Sequence, residues 1–268
     1  MSGTTLDTVE RGAWSMSEMR GLVLSEFRKM RATSAWWALL ILGLVLSLGI
    51  ALPKIREEYL AHSLANALAW AYLSALLFGV VCATAEYRHN TITTSYLGAA
   101  NRPKLVLAKM ICAAIVGAAY GFICAAVTVA GIPLIGARYG AEWPWILAVS
   151  GGGVLVFALW AILGVGLGTL VGNQMVAVFV ALLCQLVIQP LIQVAVVLIN
   201  GWDRFTVYLF YLPDAAATTA LLGMTGGEQF DGSFGVATSW WLMLLVASGY
   251  AAVLVVAGIA VAQRRDIT

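Results

Sequence analysis

Six long apolar runs, separated by short polar segments, decide what this chain can fold into. An apolar run of about 18 or more residues is typical of a membrane-spanning helix, because about 20 residues at the helical rise cross the hydrocarbon core. In lipid the backbone polar groups must bond one another, and the alternating pattern of barrel strands is absent, so helices are the predicted spanning structure. The runs cover residues 35–52, 63–85, 105–135, 144–171, 175–199 and 239–262.

The composition agrees with an all-α membrane protein of six transmembrane helices. Only 10% of the 268 residues are charged, whereas a soluble domain has roughly 25% charged residues. We expect a polar N-terminal segment, 1–34, without a cleavable signal peptide, then the membrane domain, 35–262, and a short tail, 263–268. The abundance of Ala, Val and Gly beside few lysines indicates a bacterium with a GC-rich genome, and therefore the bacterial cell membrane.

The distribution of basic residues predicts the orientation. An even number of spans places both termini on one side of the membrane, and Lys and Arg favour the cytoplasmic side. With cytoplasmic termini, eleven of the fifteen Lys and Arg residues lie inside. These are Arg11, Arg20, Arg28, Lys29, Arg31, Arg88, Arg102, Lys104, Lys109, Arg264 and Arg265. We therefore expect cytoplasmic termini and a cytoplasmic segment between the second and third runs.

The segment before the first run predicts an amphipathic helix on the membrane surface. Ser15 and Glu18 have the spacing of a capping box, in which each side chain bonds a free backbone N–H. Apolar side chains then recur every three or four residues, and the basic side chains beside them can meet anionic lipid headgroups. The apolar residues are Met16, Met19, Val23, Phe27 and Met30, and the basic ones are Arg20, Arg28, Lys29 and Arg31. The alternative is a merely polar tail.

Residues 200–238 form the largest segment predicted to lie outside. Its apolar stretches, 205–212 and 215–224, are each too short to span a membrane. We interpret them as two short helices that dip back into the outer leaflet or cap the bundle, so that a reentrant segment precedes the sixth span.

Rows of glycine predict close helix packing. Gly164, Gly168 and Gly172 form a GxxxGxxxG row in the fourth run, and Gly117 and Gly121 form a second pair in the third. In lipid, small residues let helix backbones approach closely. Packing within the chain is one interpretation, and a subunit contact or a sliding surface is the other.

Three glutamines share one face of the fifth run. Gln185, Gln189 and Gln193 are spaced by four residues, and Pro190 between them predicts a kink. Amides that faced lipid would carry an unsatisfied polar cost, so they must face other helices or water. They either bond neighbouring helices or line a translocation path.

Several kinds of site are absent from the sequence. The cysteines lie in apolar runs without a close Cys-x-x-Cys pair, so we expect neither disulfides nor a metal site. No catalytic constellation and no G-x-x-x-x-G-K-[ST] loop is present, so we expect neither an enzyme nor ATP binding by this chain. No ionisable residue lies near the middle of a run, where ion-coupled transporters need one. The cysteines are Cys82, Cys112, Cys124 and Cys184.

A polar segment, residues 86–104, separates the second apolar run from the third, and we call it the island. It is both basic and able to form a short surface helix. Such a segment is where a soluble partner can dock on a membrane protein. The alternative is a solvated loop that serves only the topology.

The order of these features resembles the integral permease subunits of type-2 ATP-binding-cassette (ABC) transporters, which are mostly exporters. The likeness covers nearly the whole chain: the surface helix, six spans, a reentrant stretch and a basic tail. Family members often show Glu-x-x-x-Gly-Thr and, some ten residues later, a Ser-Arg pair. Here the pattern reads Glu86, Asn90-Thr91 and Asn101-Arg102, with Asn in place of Gly.

The resemblance implies a permease that is driven by a separate ATPase subunit. The island would be a coupling helix, seated on the ATPase through the residues Glu86, Tyr87, Arg88, Asn90, Thr91 and Arg102. ATP and Mg²⁺ would be bound by that partner, and a second permease copy or a paralogue would complete the path. Spans one, two and five would form the path walls, for an amphiphilic drug, lipid or peptide. Besides the ATPase, only membrane lipids are expected as partners, and no nucleic acid.

Two rival functions remain from the residues alone. One is an ATP-independent secondary transporter or channel, and the other is a scaffold or sensor subunit that transports nothing.

Overall fold

The computed structural model describes residues 16–54, 60–88, 102–132, 142–200, 204–225 and 239–264. Within these ranges six helices are long and apolar enough to cross a membrane, which confirms the predicted all-α fold with six spans. They are Ala35–Leu52, Leu60–Glu86, Pro103–Gly131, Trp143–Val171, Gln174–Val196 and Trp240–Val261, and we call them spans one to six. The island residues 89–101 lie outside the described residues.

Ten α-helices build these spans and the segments beside them in the described ranges. They are α1 Met16–Arg31, α2 Ala35–Lys54, α3 Leu60–Ala71, α4 Leu73–Arg88, α5 Arg102–Gly131, α6 Trp143–Val171, α7 Gln174–Leu183, α8 Gln189–Asn200, α9 Pro213–Gly223 and α10 Trp240–Arg264. A 3-10 helix, Arg204–Tyr211, precedes α9. Helix α1 is the predicted surface helix, although Ser15 of its capping box lies outside the described residues.

Spans two and five are each interrupted near their middle. Span two consists of α3 and α4, which meet at a turn at Tyr72. In span five a π-helical turn, Cys184–Ile188, separates α7 from α8 and lies directly before Pro190. Because proline has no N–H to donate, the helix before it must rearrange its hydrogen bonds, and the N–H of Gln189 bonds the carbonyl of Cys184.

Span four lies at the centre of the bundle, and glycines bring it close to span two. A Cβ on Gly164 would lie 2.2 Å from the carbonyl oxygen of Leu76, and a Cβ on Gly168 would lie 2.8 Å from the Cβ of Ala83 and 3.0 Å from the carbonyl oxygen of Val80. Gly79 of span two makes the reciprocal approach. Since backbones touch at these points, dispersion contacts between the two helices are dense.

Glycines bring span four equally close to spans three and six. A Cβ on Gly117 would lie 2.6 Å from the carbonyl oxygen of Phe157, and Gly121 packs one turn further along. Gly166 lies against the backbone of Leu254 in span six. Four of the five predicted packing glycines thus make close contacts within the chain.

The fifth, Gly172, ends span four instead. Its φ of 68° is the left-handed conformation that glycine adopts without steric cost, and its N–H bonds the carbonyl of Gly168 at 2.9 Å. The next residue, Asn173, caps span five by accepting hydrogen bonds from the backbone of Met175 and Val176.

Burial separates the spans into two groups. In span two 83% of the most apolar window is buried, and in span four 56%. In spans one and five only 17% is buried, so these helices present apolar faces outward. Such faces can contact lipid or pack against another membrane helix.

Candidate functional site

Four charged side chains form a buried cluster where span two ends and span three begins, which we call the island end. Glu26 of α1, Glu86 of span two and Lys109 of span three are each less than 9% exposed, and Lys29 of α1 lies at the edge. Lys109 Nζ lies 3.0 Å from Glu26 and 3.3 Å from Glu86. Lys29 Nζ lies 2.7 Å from a carboxylate oxygen of each glutamate.

Two positive and two negative charges balance one another in this cluster. A buried ion is tolerated only when it is paired and hydrogen-bonded, and each of the four groups contacts two of opposite sign. Burial lowers the pKa of Lys29, but hydrogen bonds to Glu26 and Glu86 outweigh this effect, so the pKa lies above its usual value. The lysine therefore stays charged.

The cluster joins three separate elements of the chain. It fixes α1 to span two through Lys29 and Glu86, and to span three through Glu26 and Lys109. A second, exposed pair, Lys104 with Glu18 at 3.2 Å, adds to the contact between α1 and span three. The helices on both sides of the island are thus held against the surface helix.

Of the six residues predicted to contact an ATPase, one lies in this cluster, and the side chains of the other five lie outside the described residues. Glu86 is buried in the cluster rather than displayed on a surface. The backbones of Tyr87 and Arg88 end α4, and Arg102 begins α5, while their side chains lie outside the described residues. The positions of Asn90 and Thr91 also lie outside them.

A second polar cluster surrounds Asp214, at the start of α9. Its Oδ1 accepts hydrogen bonds from the hydroxyl of Tyr72 and from the amide of Gln185. Its backbone N–H donates to Oε1 of Gln189 at 2.9 Å. The hydroxyl of Thr218 lies 3.2 Å from that of Tyr72. Two of the three predicted glutamines therefore bond α9.

Gln193, the third glutamine of the row, makes no side-chain hydrogen bond within the described residues. The π-helical turn changes the angle between successive side chains, which removes the regular spacing that the sequence predicts for the row. The three amides thus do not act as one set in this conformation.

Asp214 lies deep in the bundle. Tyr72 is twelve residues after the start of span two, Leu60, and Gln185 is eleven residues after the start of span five, Gln174. Both positions are close to the middle of their spans, so a carboxylate that contacts both lies well below the helix ends. Burial raises the pKa of Asp214, although hydrogen bonds from Tyr72 and Gln185 oppose the shift.

This depth changes one expectation from the sequence. No ionisable residue lies near the middle of an apolar run, yet Asp214 reaches that level from a different segment. Separations of 142 residues to Tyr72 and 29 to Gln185 hide the contact from any local pattern. In the sequence, only the glutamines of span five indicated that a polar partner must lie near the middle of the bundle.

A signal for the buried charge cluster was present in the sequence. Glu26 lies within the apolar stripe of α1, one helical turn from Val23 and Met30, where a solvated glutamate does not belong. Lys109 likewise lies within an apolar run. Each needed an opposite charge, and the structure brings the two together.

No family model matches this chain, and no curated protein matches it at a significant level. Among the described residues no group of three His, Cys, Asp or Glu side chains could hold a metal ion. Function is therefore inferred from the two polar clusters and from the arrangement of the six spans.

Proposed function

We propose that the chain is the membrane permease subunit of an ABC transporter, driven by a separate ATPase that docks at the island. The observation that carries this proposal is the buried charge cluster. It anchors the helices on both sides of residues 89–101 to the surface helix α1. On the charge distribution of the sequence, this end of the bundle is cytoplasmic.

A loop that served only the topology would not need such an anchor. Desolvating an ion costs several kcal/mol, and the attraction within a buried cluster does little more than offset that cost. An apolar cluster of the same shape would give similar stability, so the charges favour one defined geometry over others. A rigid mount on both sides of the island is what a segment needs in order to pass on a force from a soluble partner.

The remaining parts follow from this role. ATP and Mg²⁺ are bound by the partner ATPase, and a second copy of the permease or a paralogue supplies the other half of the path. Spans one and five carry outward apolar faces that suit such a partner or lipid. Gln185, Gln189 and Gln193 remain candidates for the path, and two of them, Gln185 and Gln189, bond α9.

A carrier driven by an ion gradient is the second candidate, because one observation favours it. The carboxylate of Asp214 lies near the middle of spans two and five, where carriers of this kind place an ionisable group. The two candidates differ in their energy source, which transport assays separate directly.

The test is purification of the tagged full-length chain from its own host under mild conditions. We expect an ATPase with a Walker loop to co-purify in stoichiometric amount. Arg88→Ala with Arg102→Ala, which removes the basic residues nearest the island, should reduce its recovery several-fold. Arg204→Ala is the control, since it removes an arginine from the opposite end of the bundle.

Two results would overturn the proposal. One is an island variant that retains the ATPase and ATP-driven transport in full. The other is uptake in reconstituted vesicles that follows an ion gradient and does not respond to ATP. Glu86→Ala is unsuitable as an island variant, because it leaves a buried lysine without one of its two carboxylates.

A further inference from the structure

Asp214 is a carboxylate that none of the described cationic side chains contacts. Within the part of the chain that the structure describes, its only side-chain partners are the hydroxyl of Tyr72 and the amide of Gln185, and no Lys, Arg or His side chain pairs with it. The contrast with the charge cluster at the island end is complete, since there every buried carboxylate has two lysines. A lone carboxylate deep in an apolar bundle is costly and by default marks a functional site.

The surroundings of Asp214 hold the carboxylate in place and leave the residue partly exposed. Tyr72 is fully buried, and its ring packs against that of Trp160 with ring centroids 4.6 Å apart and an angle of 51° between the ring planes. That packing restricts the hydroxyl that donates to Asp214. Asp214, Gln185 and Thr218 are only half-buried, so these three polar side chains can be reached.

Asp214 also lies beside candidate residues for the translocation path. Of the three glutamines that either bond neighbouring helices or line a path, Gln185 and Gln189 each bond Asp214, whereas Gln193 does not. A solute that moves between spans two and five therefore has to pass this carboxylate or displace α9 from it. A negative charge there repels anions, and it attracts a cation more strongly than it would in water, because the local dielectric constant is low.

We propose that Asp214 binds the positively charged group of the transported solute, which makes the solute class cationic amphiphiles. The amide of Gln185 and the hydroxyl of Thr218 supply further oxygen acceptors beside the carboxylate. The apolar side chains of the bundle accommodate the rest of such a molecule. The proposal rests on the transport function, but binding can be measured without any ATPase.

The probe is rhodamine 6G, a fluorescent amphiphilic cation, and its counterpart is rhodamine B, which has the same ring system and a free carboxylate. The full-length chain is placed in nanodiscs of zwitterionic lipid, so that no anionic headgroup attracts the cation, and anisotropy is followed in titrations with empty nanodiscs as the background. We expect saturable binding of rhodamine 6G. Asp214→Asn should weaken it by at least about tenfold, the effect of roughly 1.4 kcal/mol.

The matched control is Glu142→Gln. It removes a carboxylate at a helix end, where Glu142 precedes span four and accepts a hydrogen bond from the backbone of Ala61 at 3.1 Å. This change should leave rhodamine 6G binding unaltered, and Asp214→Asn should not change the response to rhodamine B. Equal affinity of the unmodified chain and Asp214→Asn for rhodamine 6G would overturn the proposal, as would absence of saturable binding.

A second measurement avoids any variant that fails to fold. Dicyclohexylcarbodiimide reacts with carboxyl groups in apolar surroundings, and mass spectrometry locates the product. We expect Asp214 in the unmodified chain to react, and saturating rhodamine 6G to slow the reaction several-fold. Unchanged labelling of Asp214 in the presence of the dye would count against the proposal. If an ATPase co-purifies but the dye does not bind, the proposed solute class is wrong and the permease function is unaffected. If the dye binds but no ATPase co-purifies, the cation site is supported and the ATPase-driven function is wrong.

Discussion

Lys109→Met tests whether the buried charge cluster fixes the island end. At a separation of 3.0 Å and an effective dielectric constant of about 20, Lys109 and Glu26 attract one another by about 5 kcal/mol. Desolvation of the ions offsets most of this in the intact cluster. Without Lys109, however, Glu26 and Glu86 both lose a buried lysine partner, and removal of one partner from a buried pair typically costs about 3–5 kcal/mol.

For a chain of this length, such a loss lowers the melting temperature by on the order of 10 °C. The assay is thermal unfolding of the full chain in nanodiscs, followed by intrinsic tryptophan fluorescence. Lys104→Met is the matched control, because it removes the same side chain from the same helix but breaks a pair in which Glu18 is 62% exposed. Exposed pairs contribute about 1 kcal/mol at most, so this variant should shift the melting temperature by about 2 °C.

The double variant Glu86→Met with Lys109→Met separates charge balance from packing. It removes one charge of each sign, so no buried ion is left uncompensated, and the melting temperature should recover by about half or more of the loss. If Lys109→Met and Lys104→Met shift the melting temperature equally, the cluster is not buried and paired as described, and the reasoning fails.

Three further predictions concern packing, capping and pH. Gly164→Ala places a methyl group 2.2 Å from the carbonyl of Leu76 and should destabilise the chain by about 1–3 kcal/mol in the same unfolding assay. Gly151→Ala is the control, because its methyl group meets nothing within 4 Å and should not destabilise the chain. Asn173→Ala removes the cap of span five and should cost about 1 kcal/mol there; no change would mean that water replaces the cap. Folding raises the pKa of Asp214 above its usual value of 3.8. The stability that this shift contributes is therefore complete below pH 3.8 and is lost as the pH rises through the folded pKa. Asp214→Asn should flatten this part of the curve of melting temperature against pH.

The six spans were predictable because a single physical quantity, the length of an apolar run, sets them. Ala35–Leu52 and Trp143–Val171 agree with the predicted runs within one residue. The break in span five was foreshadowed by Pro190, whose missing N–H demands a local rearrangement. The form of that break, a π-helical turn, depends on how neighbouring helices hold the rest of the span, and no local pattern encodes it.

The polar clusters were only half predictable, and for one physical reason. A charge or amide in an apolar stretch shows that a partner must exist, because an unpaired polar group in lipid is costly. It does not show which partner. Glu26 and Lys109 are 83 residues apart, and Tyr72 and Asp214 are 142 apart. Their pairing results from the packing of whole helices, which glycines such as Gly79 and Gly164 determine.

Span two contributes a residue to each of the two polar clusters and therefore connects them physically. Its last residue, Glu86, belongs to the cluster at the island end, and Tyr72, at its central turn, holds the carboxylate of Asp214. Between these two residues the helix packs backbone to backbone on span four, so a shift at Glu86 is passed along the helix rather than absorbed by loose side chains. The turn at Tyr72 is where the direction of such a shift can change, since the helix is not continuous there. Under the proposed coupling role, a force on the island would therefore be passed to the contact that holds α9 against Gln185 and Gln189, where Asp214 lies beside the candidate path residues.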